Sequence, residues 1–327
     1  MNKLYDSIGI SKQAFHQSLN RWLIKKSEQG QLLILIYQIR EDHPTMGLRD
    51  MYYKLQPEYI GRDAFEIFCK AEGLSVERPK NWARTTDSSG VIRFDNLILD
   101  LRLVSINQVW QSDITYFEVN GVFYYITFII DSFSRLIVGY SASDRLLTSQ
   151  TTLPALKMAV KYRLKQNQIL DNLIFHSDGG GQYYAKEFLK FTAKYNFKNS
   201  MCKTAWENGK AERINGVIKN NYLIHRDINN FLDLQKEVDR SVKLYNHEKP
   251  HISLQRETPI QFEKNYICNG QNADDDKSTT EIKSHPKDCV KSSSVGWDKK
   301  ASNSNITHEI KMTKKNTKKE LKTVNVI

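Results

Sequence analysis

The sequence predicts an α/β fold for its central part, with helices before it and a polar tail after it. Three segments rich in Val, Ile, Tyr and Phe predict consecutive β-strands, at Val109–Tyr116, Val122–Asp131 and Leu136–Ser143. Asn120-Gly121 separates the first two segments and is a strong hairpin signal, because both residues tolerate the positive φ of a two-residue turn. The three strands are therefore predicted to be antiparallel neighbours.

Helical and strand patterns alternate after the third strand. The predicted elements are a helix at Thr148–Lys165, a strand at Leu173–His176, a helix at Ala185–Tyr195, a strand at Lys198–Met201 and a helix from Asn208. Three strands followed by this alternation have the order of an RNase H-like fold. We expect this core, with C-terminal helices, to occupy residues 105–268.

The N-terminal part is predicted to be helical. Residues 1–30 form a short helical segment in which Ser11 can cap a helix. Lys12 and Gln13 follow that cap, as polar residues do at the start of a helix-turn-helix recognition helix, and are candidate DNA contacts. An ordinary capped surface helix explains the same residues equally well.

Residues 31–76 predict a second helical set, typical of a helix-turn-helix domain. Leu32–Arg40 is apolar at helical spacing, a break follows at His43–Gly47, and two further helices are predicted at Leu48–Leu55 and Arg62–Ala71. A plain helical domain fits this pattern nearly as well as a DNA-binding bundle. Residues 77–104 are polar and irregular, which predicts a linker.

The net charge of the chain is +11 over 327 residues, which favours a polyanionic partner such as nucleic acid. Ribosome-associated and membrane-surface proteins share this property, so charge alone does not choose among them. The four cysteines have no close metal-ligand spacing, which argues against a zinc ribbon or a disulfide-rich domain. The start of the chain lacks an apolar signal segment and Val122–Ile130 is too short to span a bilayer, so we expect a cytoplasmic protein without membrane contact.

The segment 269–327 is rich in Lys, Ser, Thr, Asn and Asp and has few large apolar residues. Such a composition cannot bury enough apolar surface to offset the entropy lost on ordering. It predicts a disordered basic tail.

Three carboxylates occupy positions that this fold would bring together. Asp113 lies in the first strand, Asp178 follows the fourth, and Glu212 lies near the start of the last helix of the series. A buried carboxylate without a cationic partner is costly, so such groups pair or bind metal, and Mg²⁺ prefers carboxylate oxygens. Each residue taken singly is more often a cap or a surface carboxylate. The joint arrangement favours a metal site.

These residues lie in motifs that resemble insertion-sequence transposases of the IS-three family, OrfB type, which have a retroviral-integrase-like DDE catalytic core. The motifs are Trp110–Tyr116 (WQSDITY), Asp131–Arg135 (DSFSR), His176–Tyr183 (HSDGGGQY), Glu207–Arg213 (ENGKAER) and Tyr245–His251 (YNHEKPH), with His43–Arg49 (HPTMGLR) resembling the family's helix-turn-helix segment. The resemblance implies that Asp113, Asp178 and Glu212 are the catalytic and metal-binding triad. The spacing from Asp178 to Glu212 is two residues shorter than is usual in the family.

The resemblance also implies the function. A protein of this family binds the terminal inverted repeats of its transposon, cuts a strand with the help of Mg²⁺ or Mn²⁺, and joins the freed 3′-hydroxyl to target DNA. Two DNA ends must be held together, which implies a homo-oligomer, and a first-frame helper protein is a further expected partner. Association with the bacterial nucleoid follows from the DNA substrate.

Asn215 and Lys219 lie on the same helical face as Glu212 and are candidate DNA contacts beside the metals. Arg49, in the helix-turn-helix-like segment, is a further candidate DNA contact. Asn208 is a suitable helix cap, which would leave Glu207 outside the helix and free in solvent. Glu212 is therefore the predicted third ligand.

Two alternative functions stay open at this point. A hydrolytic RNase H-like nuclease would cut DNA without joining it. A regulator derived from a transposase would bind DNA without any chemistry.

Overall fold

The computed structural model describes residues 9–76 and 93–275. The chain forms two units, Met1–Ile267 and Cys268–Ile327, and only residues 268–275 of the second are described. The helices are α1 (Lys12–Asp42), α2 (Leu48–Leu55), α3 (Arg62–Ala71), α4 (Thr152–Lys165), α5 (Lys186–Lys194), α6 (Gly209–Asn221), α7 (Phe231–His247) and α8 (Pro259–Asp275). The strands are β1 (Val109–Val119), β2 (Val122–Asp131), β3 (Ile137–Ser143), β4 (Ile174–Ser177) and β5 (Lys198–Met201).

The five strands form one sheet in the order β3-β2-β1-β4-β5. The first three strands are antiparallel, whereas β4 pairs parallel with both β1 and β5. The predicted hairpin is confirmed at Asn120-Gly121, where φ is 51° and 80° and Val119 pairs with Val122. This mixed sheet with its alternating helices is the predicted RNase H-like core.

Helices cover both faces of the sheet because side chains alternate along buried strands. One core contains Trp110, Phe175 and Leu156, with α4 and α5 packed on it. The other contains Phe128 and Ile218, with α6 and α7 packed on it. Helix α6 therefore rests on an apolar layer that fixes its distance from the sheet.

Gly139 on β3 permits the close approach of α4. A Cβ at this position would collide with the carbonyl oxygen of Ala155 and approach the Ala159 backbone nitrogen to 2.9 Å. Any larger residue would therefore push α4 away from the sheet.

The N-terminal helices enclose a small core of their own that includes Leu32, Ile36, Met51 and Phe65. The Ser11 side chain caps α1 by accepting a bond from Ala14 N at 3.1 Å, as the sequence predicts. The structure does not divide the chain at residue 30, because α1 continues through Gly30 to Asp42. A single glycine costs a helix only about 1 kcal/mol, which the flanking residues outweigh.

Two other predicted boundaries also differ. Residues 77–92 of the predicted linker lie outside the described residues, but 93–104 pack on the core, with Leu97 N donating to Ser200 Oγ at 2.9 Å. Helix α8 continues past residue 269 to Asp275, so the predicted tail begins in a helix. The remainder of that tail lies outside the described residues. No helix in the two described ranges has the length and apolarity needed to cross a bilayer.

The N-terminal helices dock on the helices after α6. Arg226 donates to the carbonyls of Glu41 at 2.7 Å and Asp42 at 3.0 Å, at the C-terminal end of α1. His43 lies 3.1 Å from the Tyr222 hydroxyl and 3.4 Å from Glu248. Free carbonyls at a helix C-terminus carry partial negative charge, so the Arg226 guanidinium stabilises this end of α1.

A buried ion cluster joins α4, α8 and the end of β2. The Arg163 guanidinium donates to both carboxylate oxygens of Glu263, at 2.6 and 2.7 Å, and to Asp131 at 3.3 Å. Asp131 also accepts bonds from the backbone of Asn107, Phe133 and Ser134. Because Arg163 and Asp131 are fully buried, removing either partner would leave an uncompensated charge.

We predict that Glu263→Gln lowers the free energy of unfolding by about 3–5 kcal/mol, the usual cost of breaking one side of a buried ion pair. Urea unfolding followed by circular dichroism measures it. The control is Asp42→Asn, which removes a half-exposed pair with Arg240 and should cost under about 1 kcal/mol. Equal losses in the two variants would contradict a stabilising role for the cluster.

The docking of α1 should also be sensitive to acid. Hydrogen bonding from His43, with further help from Lys54, lowers the pKa of Glu248 from its ordinary value of 4.5 to about 2. A carboxyl whose pKa is lowered on folding stabilises the protein above its unfolded pKa and loses that contribution as pH falls. Wild type should therefore be more stable than Glu248→Gln at pH 6, with the difference shrinking between pH 4.5 and 2. A difference that stays constant over this range, measured by urea unfolding, would show that the Glu248 charge is not involved.

Candidate active site

Asp113 and Asp178 lie side by side because β1 and β4 are parallel. Ser112 pairs with Ser177 in this register, so the next residue on each chain is an aspartate. Asp178 is the first residue after β4, where the strand ends and its side chain becomes accessible. Ligand sites in open α/β sheets form at such carboxyl ends of parallel strands.

Helix α6 brings Asn215 and Glu212 to the same place. The Asn215 Nδ2 donates to Asp113 Oδ2 at 2.9 Å. Glu212 lies three residues earlier on α6, so it shares the helical face of Asn215 one turn nearer the N-terminus. The exposed Glu212 side chain is close enough to act electrostatically on Asp113.

Burial and two neighbouring carboxylates make a negative charge on Asp113 unfavourable. Burial, followed by the charges of Asp178 and Glu212, raises the pKa of Asp113 to about 7. Burial also raises the pKa of Asp178. Neither aspartate forms an ion pair with a cationic side chain in the described part of the chain.

The donor set consists of carboxylate oxygens, which fits a hard divalent cation such as Mg²⁺ or Mn²⁺ rather than zinc. Carboxylates that lie close together, some of them partly buried, are stabilised when a cation binds between them. Within residues 9–76 and 93–275, however, no three His, Cys, Asp or Glu side chains converge closely enough to form a complete metal site. The structure thus places the three residues as neighbours without closing a coordination shell.

Asn208 fixes the start of α6 against β1, which the sequence did not predict. Its side chain makes no helix-capping bond, contrary to expectation, and instead Nδ2 donates to the carbonyl oxygen of Ser112 at 2.9 Å. Ser112 in turn donates to the Phe128 carbonyl at 3.0 Å and lies 2.9 Å from the Tyr183 hydroxyl. The residue before Asp113 is therefore held from three sides.

The turn after Asp178 is shaped by glycine. Gly180 N donates to Asp178 Oδ1 at 3.1 Å, and a Cβ on Gly180 would stand 3.0 Å from the same oxygen. A side chain at position 180 would crowd the Asp178 carboxylate, which here lies against the Gly180 backbone. Gly180 of the HSDGGGQY motif thus helps to orient Asp178.

His176 has a structural environment. It is buried between β4 and β5, with Nδ1 2.9 Å from Ser200 Oγ. Burial lowers its pKa to about 4, so the ring is neutral at physiological pH. These contacts agree with a role of His176 in packing β4 against β5 rather than in orienting a phosphate.

Glu207 is not free in solvent, contrary to expectation. Its carboxylate accepts bonds from Lys203 N at 2.8 Å, Thr204 Oγ1 at 3.0 Å and Asn96 Nδ2 at 2.6 Å. It therefore organises the loop before α6 and links that loop to the segment before β1. Because these bonds occupy its carboxylate oxygens, Glu207 is a weaker candidate for a metal ligand than Glu212.

The DNA-binding candidates lie on three different elements. Lys219 is on α6, two turns after Glu212, with its ammonium 5.0 Å from the ring centre of Tyr116 on β1. Lys12 and Gln13 are exposed in the first turn of α1. Arg49 is exposed on α2 and pairs with Glu66 of α3 at 2.8 Å. Only Asn215 and Lys219 share an element with one of the three carboxylates.

Comparison with known proteins agrees with this architecture. One integrase core domain model matches residues 105–205 and a second matches residues 193–259. The insertion element IS600 31 kDa protein of Shigella sonnei is 27% identical over 249 residues, covering 74% of this chain and 89% of that protein. Transposase InsF for insertion sequence IS3A of Escherichia coli is 37% identical over 95 residues, covering 29% of this chain and 31% of InsF.

The chain carries an integrase core domain of the IS-three transposase type. This core places it among transposase- and integrase-like proteins, which are enzymes of the polynucleotidyl transferase type. The catalytic core domain of HTLV-2 integrase, solved in complex with magnesium, is 22% identical with a TM-score of 0.40, covering 49% of this chain and 99% of that domain. All three carboxylates and Asn208 lie between residues 105 and 259, the span covered by the two integrase core matches.

We predict that Asn208→Ala lowers the free energy of unfolding of this integrase-core protein by about 1–3 kcal/mol, because the buried Ser112 carbonyl loses its donor. Urea unfolding measures the loss. Asn220→Ala, on the same α6 and partly exposed, serves as the control and should change stability by less than about 0.5 kcal/mol. If the two variants unfold alike, Asn208 does not anchor α6.

Proposed function

We propose that this chain is a DNA transposase that binds the terminal inverted repeats of its transposon, cuts a strand and transfers the 3′-hydroxyl end to target DNA. The observation that carries the proposal is the adjacency of Asp113 and Asp178 on paired parallel strands, with Glu212 and Asn215 on the helix above them. The likeness to insertion-sequence transposases supports the same activity.

In this proposal Asp113, Asp178 and Glu212 hold Mg²⁺, or Mn²⁺ in its place. Divalent cations held by these residues would neutralise charge at the phosphodiester and would lower the pKa of the attacking water or hydroxyl. Asp113 is oriented by the amide of Asn215, and Asp178 by the backbone of Gly180. Fixing these side chains before substrate binds reduces the reorganisation needed during reaction.

Other residues bind the DNA. Lys219 and Asn215 extend from the carboxylates along one face of α6 and contact the strand next to the scissile phosphate. Arg49, Lys12 and Gln13 on the N-terminal helices contact the duplex of the terminal repeat. A homo-oligomer of this chain holds the two transposon ends together, and a first-frame protein is its helper. The substrate is the DNA of the nucleoid in the cytoplasm.

The assignment of the third ligand is tested by two glutamate substitutions. Glu212→Gln should bind terminal-repeat DNA yet neither cut nor join it, because the lost charge weakens metal binding. Glu207→Gln is the matched control and should keep most activity, since an amide oxygen still accepts the loop bonds. Labelled terminal repeats in Mg²⁺, with a binding assay alongside, measure both. An active Glu212→Gln with an inactive Glu207→Gln would reverse the assignment.

Asp113→Asn and Asp178→Asn should behave like Glu212→Gln, with cleavage reduced at least about 100-fold and end binding largely kept. Normal cleavage by either variant would remove that residue from the site.

A pre-cleaved end separates the proposal from a hydrolytic nuclease and from a non-catalytic regulator. With a free 3′-hydroxyl supplied, a transposase forms joined product in Mg²⁺. A nuclease gives only shortened strands, and a regulator leaves the DNA intact. Absence of joined product by the wild-type chain would overturn strand transfer as its function.

A further inference from the structure

A cavity of about 550 Å³ lies on the other side of α6 from the carboxylates. Its wall contains four cationic side chains, which come from the turn between β2 and β3, from the first turns of α6 and from the segment after α7: Arg135, Lys210, Arg213 and Lys249. Lys210 lies two positions before Glu212 and Arg213 lies one position after it. At about 100° per residue, their side chains are therefore turned about 200° and 100° away from Glu212 around the helix. The cavity is therefore distinct from the carboxylate site but shares a helix with it.

Within the described residues, the four cations have no protein partner that explains their clustering. In residues 9–76 and 93–275, none of their side chains forms a hydrogen bond or an ion pair. The acid on the cavity wall, Asp50, is paired with Arg256. Asp131 interacts electrostatically with Arg135 but does not pair with it, because its carboxylate is bonded to Arg163 and to three backbone donors.

Part of this positive charge is removed from water. Arg135, Lys210 and Lys249 are half-buried, and burial lowers the pKa of both Arg135 and Lys249. Like charges held together away from solvent are unfavourable, so a structure that keeps them gains stability only when an anion binds.

Two further features single out this cavity. Arg135 has a φ of 65°, a left-handed conformation that is strained for a residue with a long side chain and that clusters at functional sites. His251, also on the wall, has a buried Nε2 without a hydrogen-bond partner. Burial, together with Lys249, Arg135 and Arg213, lowers the pKa of His251 to about 3, so the ring stays neutral.

We propose that this cavity binds a backbone phosphate of DNA at a position separate from the scissile phosphodiester. Proteins bind phosphate with Arg and Lys side chains that point to one place and with backbone N–H groups in the first turn of a helix. Because the cavity and the carboxylates lie on two sides of the first turns of α6, a strand held in the cavity is positioned relative to the carboxylates by the helix itself. The identification of the anion as DNA rests on the proposed function.

The test uses the salt dependence of binding to a short duplex of arbitrary sequence, in EDTA so that no chemistry occurs. The cavity variant is Arg213→Gln/Lys249→Gln. The control, Lys157→Gln/Lys161→Gln, removes equal charge from exposed positions of α4, on the other face of the sheet. Each lost phosphate contact reduces the slope of log K against log salt by about one. We expect a reduction of one to two in the cavity variant and none in the control.

Equal slopes in wild type and the cavity variant, or equal reductions in both variants, would overturn the proposal. The charge-conserving variant Arg213→Lys/Lys249→Arg should keep the wild-type slope, and its failure to do so, with normal thermal unfolding, would also contradict it. If inorganic pyrophosphate stabilises the wild type against thermal unfolding, but the cavity variant keeps the wild-type salt slope for DNA binding, the cavity is a site for free phosphate and the proposal is wrong. Failure of the proposed function appears separately, as a wild-type chain that binds duplex DNA yet forms no joined product in Mg²⁺.

Discussion

The parallel pairing of β1 with β4 is the constraint on which the rest of the structure depends. It places the residues after Ser112 and Ser177 next to each other, and both are aspartates. A parallel pair requires a crossover, here supplied by β2, β3 and α4, and the close contact of α4 at Gly139 keeps that crossover against the sheet. Asp113 and Asp178 could not lie next to each other if β4 ran in the opposite direction or did not pair with β1.

Helix α6 converts this pairing into a site with two sides. Apolar residues such as Ile214 and Ile218 hold it on the sheet, and Asn208 fixes its start to the strand that carries Asp113. One remaining face presents Glu212, Asn215 and Lys219, and the opposite side opens into the cationic cavity. A single rigid element therefore sets the distance between negative groups suited to a metal and positive groups suited to phosphate.

The sequence predicted the elements whose signals are local. Alternating Val, Ile and Tyr, the Asn120-Gly121 turn and helical periodicity gave the strands and α2 and α3 at their observed bounds or within a few residues. The predictions were wrong where a contact with a residue far away in the sequence determines the local structure. Asn208 is a residue type that often caps helices, yet its side chain bonds to Ser112. Glu207 was expected to be free in solvent, but it is bonded by the nearby Lys203 and Thr204 and also by Asn96, which lies far away in the sequence. The cationic cavity was missed for the same reason, since Arg135 and Lys249 come together only in the folded chain.

Two aspartates illustrate why burial and sequence alone do not identify a functional acid. Asp113 and Asp131 both belong to apolar strands, and burial raises the pKa of each. Asp131 is surrounded by Arg163 and three backbone donors, so its charge is compensated within the protein and holds α4 to the turn after β2. Asp113 accepts bonds only from Ile114 N and Asn215 in the described chain, while other carboxylates face it. Among the described residues, Asp131 is therefore compensated by a cation and Asp113 is not, and this difference separates the candidate site from the structural cluster.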